Sequence, residues 1–199
     1  MGTDPAPYMA NLFLYSHEEE YISKLIQTDR VKARHFHATK RFIDDLDAIN
    51  DGGEFGRVYG DIYPPELELK LEASGNHVSF LNLDIKIENG IFRYKLYEKR
   101  DDFPFSIVRM PYRDSNIPEN IFYSALVGEF LRIGRSTLLL EDFIPKTNDF
   151  LGRMKSQGAN YNRTIRALRK IIMNHSDSFS QFGLSVESLL NVSTSTLRE

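Results

Sequence analysis

Two runs of alternating apolar and polar residues, joined by Asn89–Gly90, restrict the fold of this chain more than any other feature. The apolar positions are Leu81, Leu83, Ile85 and Ile87 before the dipeptide, and Phe92, Tyr94 and Leu96 after it. A period of two is that of a half-buried strand, and Asn-Gly is a preferred sequence for a two-residue hairpin loop. The sequence therefore predicts an antiparallel hairpin with one face on a core.

Other segments before residue 112 also have the patterns of strands. Residues 33–50 predict a strand, a turn and a second strand, with Asp44–Asp45 at the turn, and a short helix is expected before Tyr63. Leu67, Leu69 and Leu71 alternate with charged residues and predict a half-buried strand. One more short strand is expected over residues 105–110.

Helical patterns begin and end the chain. Asp4 and Pro5 are suited to start a helix, and its apolar positions predict one buried face: Met9, Leu12, Phe13, Ile22, Leu25 and Ile26. After residue 112 the spacing predicts four helical segments. They run from an Asn116 cap to residue 134, over 136–143, over 146–157 with an end at Gly158, and over 161–175.

These patterns together predict an α+β fold. Residues 1–112 would form an antiparallel sheet with packed helices, and residues 113–199 a small all-helical lobe with a frayed tail from Val192. With 199 residues, no cysteine and no apolar run of membrane-spanning length, the chain excludes disulfides, thiolate sites and membrane spans. We expect an intracellular protein of the cytoplasm or nucleus, with its oligomeric state left open.

Two adjacent carboxylates, Asp44 and Asp45, lie at the predicted turn of RFIDDL. Like charges at this distance repel, and the plainest interpretation is a solvated turn, since aspartate is common in turns. The alternative is a metal site, because a divalent cation removes the repulsion and Mg²⁺ prefers carboxylate oxygens.

A stretch without acidic residues, 150–174, carries six basic side chains: Arg153, Lys155, Arg163, Arg166, Arg169 and Lys170. In a chain of net charge −3 this is a local basic surface that suits a phosphate backbone. A solvated helix surface is the competing interpretation. The opening GTDPAP turn likewise has two interpretations, a phosphate or nucleotide site at a helix N-terminus or an ordinary helix start.

RFIDDL resembles the aromatic-x-Asp-Asp motif at the palm hairpin of reverse transcriptases. The opening segment MGTDPAPYMANLFL resembles the glycine-containing turn and helix that contact nucleotide and template in that family. More specifically, IYPPELEL, SFLNLDIKIENGIF, LYEKRDDFPF and SNIP resemble the Penelope-like retroelements. The resemblance extends from residue 1 to about residue 182.

The resemblance implies RNA-templated DNA synthesis with two Mg²⁺ ions, or Mn²⁺ as an alternative. The partners would be an RNA or DNA template with a primer, and deoxynucleoside triphosphates. Residues 1–112 would be a partial palm and residues 113–199 the thumb. Asp44 and Asp45 would be two of the three catalytic, metal-binding carboxylates.

The resemblance also implies roles for other residues. Gly2, Thr3 and Phe42 would contact nucleotide or template, and Lys70 is a candidate proton donor to the leaving pyrophosphate. Five basic residues would bind the primer–template duplex: Arg153, Lys155, Arg163, Arg166 and Lys170.

This sequence also departs from the family pattern. Phe42 stands where many relatives have tyrosine, and Asn82 and Glu98 stand where aspartate is expected. The third catalytic aspartate would precede residue 1, so we expect the chain alone to be inactive as a polymerase. The alternative from another class is a non-catalytic nucleic-acid-binding remnant of a retroelement, and a decayed gene product is a third.

Overall fold

The computed structural model describes residues 5–105 and 107–195. Within them the chain forms seven α-helices and two small antiparallel sheets, so the predicted α+β class is confirmed. Two compact units are found, Met1–Ser74 and Gly75–Glu199. This division lies earlier than the boundary predicted at residue 112, and it groups the three-stranded sheet with the helices that follow. The palm and thumb identities stay predictions.

The first unit contains three helices and one hairpin: α1 (Ala6–Thr28), α2 (Arg30–Ala33), β1 (Thr39–Phe42), β2 (Asp45–Ala48) and α3 (Glu54–Ile62). Strands β1 and β2 pair antiparallel, as predicted. The buried core is small and comes from α3 and the residue after it: Phe55, Val58, Ile62 and Tyr63. Asp51 accepts hydrogen bonds from the backbone N–H groups of Gly53 and Phe55, which fixes the start of α3.

The buried face predicted for α1 is wrong in part. Helix α1 has no fully buried residue, and four of the predicted positions are exposed: Met9, Leu12, Phe13 and Ile26. Ile22 and Leu25 are half-buried. The helix instead packs Leu14 and Tyr21, two turns apart, against the core. Asp4 lies outside the described residues.

Two of the predicted strands are absent from the described residues. After Pro64–Pro65 the chain is irregular, and Leu67 and Leu71 are exposed. Residues 107–110 are also irregular, and Val108 is exposed. An alternating pattern specifies a strand only where a neighbour supplies backbone hydrogen bonds, and no described strand pairs with either segment.

The second unit begins with the sheet β3 (His77–Phe80), β4 (Leu83–Glu88) and β5 (Ile91–Leu96), paired in that order. The predicted hairpin at Asn89–Gly90 is confirmed, since Glu88 pairs with Ile91. Asn89 and Gly90 have φ of +51° and +75°, as a type I′ turn requires. Leu81, which was expected in a strand, lies in the loop between β3 and β4.

Four helices complete this unit: α4 (Glu119–Arg135), α5 (Leu140–Ser156), α6 (Tyr161–Asn174) and α7 (Val186–Ser193). The stripe predicted on α4 is buried in the core: Phe122, Leu126, Phe130 and Ile133. Helix α4 begins after Pro118 without a side-chain cap, so the predicted Asn116 cap is wrong.

The two helices predicted over 136–157 are one helix, α5, with Pro145 inside it. A proline there removes one backbone hydrogen bond. Phe143 before it and Phe150 after it are both buried in the same core, and this burial offsets the loss. The helix stops before Gly158, as predicted: Gly158, the residue after the C-cap, has φ of +92°, and the Ala159 N–H donates to the Met154 carbonyl at 2.9 Å.

The tail predicted to fray from Val192 is ordered in its first residues. Val192 and Ser193 belong to α7, and Ser193 and Thr194 are buried. Ser185 caps α7 by accepting from the Ser188 N–H at 3.2 Å, which holds the helix start in place. Residues 196–199 lie outside the described part.

Candidate active site

RFIDDL forms the predicted strand, turn and strand. Phe42 pairs with Asp45, and this pair closes a two-residue loop made of Ile43 and Asp44. Ile43 has φ of +56°, a left-handed conformation that is rare for a β-branched residue. Asp44 is therefore in the loop and Asp45 begins β2, and both side chains belong to exposed residues.

Arg41 fixes this hairpin to α1. Its Nε donates to Glu18 Oε1 at 2.6 Å, and its Nη1 donates to Asn11 Oδ1 at 2.7 Å. The Tyr63 hydroxyl donates to the same Glu18 oxygen at 2.6 Å. Burial, and next the hydrogen bond to Glu18, raise the pKa of Tyr63, which keeps it a neutral donor. Residues from α1, β1 and the end of α3 thus hold the hairpin through one carboxylate.

The tip of the hairpin lies beside the first turns of α1. Arg41 Nη1, which contacts Asn11, also donates to the Ile43 carbonyl at 3.4 Å. Asn11 is within about 8 Å, along the helix axis, of the start of α1 at Ala6. Gly2 and Thr3, the residues predicted to contact nucleotide, lie outside the described residues. What the structure brings together is therefore the aspartate loop and the N-terminal part of α1.

The donors in this loop fit a hard divalent cation. Asp44 and Asp45 supply exposed carboxylate oxygens, the ligand type that Mg²⁺ takes. Asp47, two residues further along β2, is half-buried, and burial raises its pKa. Within residues 5–105 and 107–195 no group of three or more His, Cys, Asp or Glu side chains is placed to hold a metal ion. To such an ion the hairpin would supply two ligands, and the rest of the coordination would come from elsewhere.

The remaining predicted palm residues are exposed. The Phe42 ring, next to the loop, has 56% of its surface accessible. Lys70 lies in the irregular segment after Pro65 and makes no ion pair with a described residue. Its role as a proton donor stays a prediction.

The predicted basic surface divides into paired and unpaired side chains. Arg153 forms an ion pair with Asp149, and Arg163 pairs with Glu119 at 2.6 Å. The Arg163 guanidinium also lies 4.1 Å from the centroid of the Tyr123 ring. Lys155, Arg166 and Lys170 are exposed, and none has an acidic partner among the described residues. Those three are the side chains with charge available for a phosphate backbone.

A buried ionic cluster in the second unit was not predicted. Glu98, two residues after the end of β5, lies 2.6 Å from Arg100, 2.5 Å from Arg132 and 3.1 Å from Lys146. Burial alone would raise the pKa of Glu98, but the Arg100 hydrogen bond and the Lys146 charge lower it to about 2.

Glu129 on α4 is also buried, and it pairs with Arg132 at 2.6 Å. One signal in the sequence would have placed Glu98 inside. Tyr94, Leu96 and Glu98 are two residues apart, so they lie on the same face of the extended chain. That is the face on which Leu96 is buried in the core.

No protein-family model matches this chain, and no curated protein or solved structure matches it either. In the described part of the chain, none of the helices combines the length and the apolar character needed to cross a membrane.

Proposed function

We propose that this chain is the palm and thumb portion of a retroelement reverse transcriptase, most similar to the Penelope-like lineage. The full-length enzyme would catalyse RNA-templated DNA synthesis by two-metal nucleotidyl transfer. The hairpin that carries Asp44 and Asp45 supports this proposal best, because its tip presents two exposed carboxylates and Arg41 fixes it against α1.

Each group of the hairpin has a distinct role in the proposed reaction. Mg²⁺, when bound, would activate the primer 3′ hydroxyl and stabilise charge on the transferred phosphoryl group. Asp44 and Asp45 would hold the ions through their carboxylate oxygens. Arg41 would keep the loop at a constant distance from α1, where nucleotide and template are expected. Phe42 would present its exposed ring next to the same loop.

We expect no templated extension from the 199-residue chain alone. Two carboxylates from one loop do not position two ions, and the described residues supply no third ligand from the protein. The proposed function is therefore best tested by metal-dependent binding, which needs fewer ligands than catalysis does.

The test compares Asp44→Asn with the wild-type chain. Primer–template affinity is measured by fluorescence anisotropy, with Mg²⁺ and without it, at constant ionic strength. We expect Mg²⁺ to raise the affinity of the wild-type chain by about tenfold, since an ion between carboxylate and phosphate removes their repulsion. We expect Asp44→Asn to abolish this gain, and to bind somewhat more tightly than the wild-type chain without Mg²⁺, because one source of repulsion is then absent.

Asp61→Asn provides the matched control, because Asp61 is an exposed aspartate on α3 in the same unit. It removes one negative charge from the unit and leaves the hairpin intact. If Asp61→Asn and Asp44→Asn change the effect of Mg²⁺ equally, net charge explains the result and the metal site is refuted.

The second candidate function is metal-independent nucleic-acid binding by a remnant, and the three unpaired cations favour it. Replacing Lys155, Arg166 and Lys170 together with glutamine should reduce the slope of log affinity against log salt by about 2–3, roughly 0.9 per lost phosphate contact. Replacing the paired Arg153 and Arg163 should change the slope less, because their acidic partners already neutralise them. A remnant would also bind equally well with Asp44→Asn, which separates it from the polymerase.

A further inference from the structure

An open cavity of about 470 Å³ lies beside the buried ionic cluster in the second unit. Its lining includes four cationic side chains, Lys99, Arg100, Arg109 and Arg132, and a single carboxylate, that of Glu98. Ile107 and Val108 supply apolar wall, and the Asn82 side chain lies in the loop between β3 and β4. The volume is in the range of small-ligand sites in proteins.

The cations of this lining outnumber the negative charge available to them. Glu98 is already within hydrogen-bonding distance of Arg100, Arg132 and Lys146, and Glu129 is paired with Arg132. Asp101, the third acid of the cluster, is shared by Lys146 at 2.5 Å and Arg100 at 3.9 Å. Arg109 is left at 3.6 Å from Glu98 and 3.9 Å from Glu129, both longer than a hydrogen bond.

The Arg109 and Lys99 side chains have N–H donors that contact no acceptor in the described residues. Half of the Arg109 side chain is exposed, and it donates no hydrogen bond to a described residue. Lys99 makes no ion pair in the described part of the chain. The cavity therefore has a surplus of positive charge and unused donors in an open, solvent-accessible recess.

We propose that this cavity binds a phosphate group. A guanidinium presents N–H donors in a planar fork that matches the oxygens of a phosphate, and a second cation nearby stabilises its second charge. The phosphate belongs either to a free anion such as pyrophosphate or to a nucleic-acid strand. This site lies in the second unit and uses none of the residues of the aspartate hairpin, so it stands without the proposed polymerase function.

The test is isothermal titration calorimetry of the 199-residue chain, in one arm with pyrophosphate and in the other with a short single-stranded oligonucleotide. Arg109→Gln is the main variant, and we expect it to weaken binding by about tenfold, as the loss of a charge-assisted hydrogen bond does. Lys99→Gln, which removes an exposed cation without an ion pair, should weaken binding in the same arm. Thermal unfolding by circular dichroism checks that both variants fold.

Arg93→Gln is the matched control. Arg93 lies on β5, has a half-exposed side chain 4.0 Å from Glu88, and is not among the cavity residues. We expect its affinities to stay within about twofold of the wild-type values.

The two arms identify the source of the phosphate. Pyrophosphate binding that depends on Arg109 supports the site and assigns it to a free phosphoanion. Oligonucleotide binding that depends on Arg109, without pyrophosphate binding, supports it and assigns it to a strand. Absence of binding in both arms at millimolar concentration, or equal weakening by Arg93→Gln and Arg109→Gln, overturns the proposal. Neither result depends on Mg²⁺ or Asp44, so this proposal and the polymerase proposal fail separately.

Discussion

Replacing Glu98 with glutamine is expected to lower the free energy of unfolding by about 3 kcal/mol or more, the usual cost of breaking a buried ion pair. The Glu98 side chain is only 3% exposed, and it forms ion pairs with Arg100, Arg132 and Lys146 at distances of 2.5–3.1 Å. A neutral amide would leave those cations with Glu129 and Asp101 as the remaining described acids of the cluster. Urea unfolding at pH 7, followed by circular dichroism, measures the change.

Glu119→Gln is the matched control for this substitution. Glu119 also lies between two arginines, at 3.1 Å from Arg113 and 2.6 Å from Arg163, but its side chain is 41% exposed. Water screens this group, and we expect a much smaller loss than for Glu98→Gln. Equal losses for the two variants would show that burial does not strengthen the Glu98 cluster.

The difference between wild type and Glu98→Gln should also depend on pH. The pKa of Glu98 in the folded chain is about 2, below its ordinary value of 4.5. A lowered pKa means that the carboxylate stabilises the fold above pH 4.5, and that this contribution declines as the pH falls toward 2. The gap between the two unfolding free energies should therefore narrow steadily over that range. A gap that stays constant from pH 5 to pH 2.5 would contradict the assignment.

Gly134→Ala is expected to destabilise the second unit by about 1–3 kcal/mol, the range for overpacking a well-packed core. Alanine normally stabilises a helix relative to glycine by nearly 1 kcal/mol, so the expected sign is the reverse of the usual one. A Cβ atom on Gly134 would lie 2.5 Å from Cε1 of Phe179. Phe179 has little room to move, because its ring packs against Phe130 and Phe143.

Gly128→Ala tests the same substitution on the same helix without the contact. Gly128 is exposed on α4, and a Cβ atom there would have no neighbour within 4 Å. We expect this variant to be more stable than wild type by up to about 1 kcal/mol. Opposite signs for the two variants in urea unfolding confirm the packing of Phe179 on Gly134, and a stabilising Gly134→Ala would refute it.

Local signals in the sequence predicted those elements whose neighbours are close along the chain. The Asn89–Gly90 dipeptide favours a two-residue hairpin loop, and the alternating apolar residues on both sides of it favour two strands. These two local preferences specify the same hairpin. The hairpin at Asp44 and the end of α5 at Gly158 were predicted for the same reason. Each depends on a few adjacent residues whose backbone preferences are strong.

The elements that were mispredicted depend on partners distant in the sequence. Helix α1 has apolar residues on more than one face, and spacing alone does not show that the core would take Leu14 and Tyr21 instead of Met9 and Leu12. Helix α5 continues through Pro145 because Phe143 and Phe150 share one core. The Glu98 cluster joins the end of β5 to α4 and α5, which no local pattern connects.

The left-handed residues at two hairpin tips have a consequence for attempts to stabilise this protein. Ile43 and Leu81 both take φ near +55° as the first residue of a two-residue loop, a conformation that costs an L-residue roughly 1–2 kcal/mol. A redesign that considers only stability would replace both residues with glycine, because the expected gain in stability is similar at the two positions. They are not equivalent: glycine at 81 would change the loop that lines the proposed phosphate cavity, whereas glycine at 43 would loosen the backbone next to Asp44. Under the proposed function, a gain in stability at position 43 would therefore come at the expense of the geometry of the aspartate hairpin.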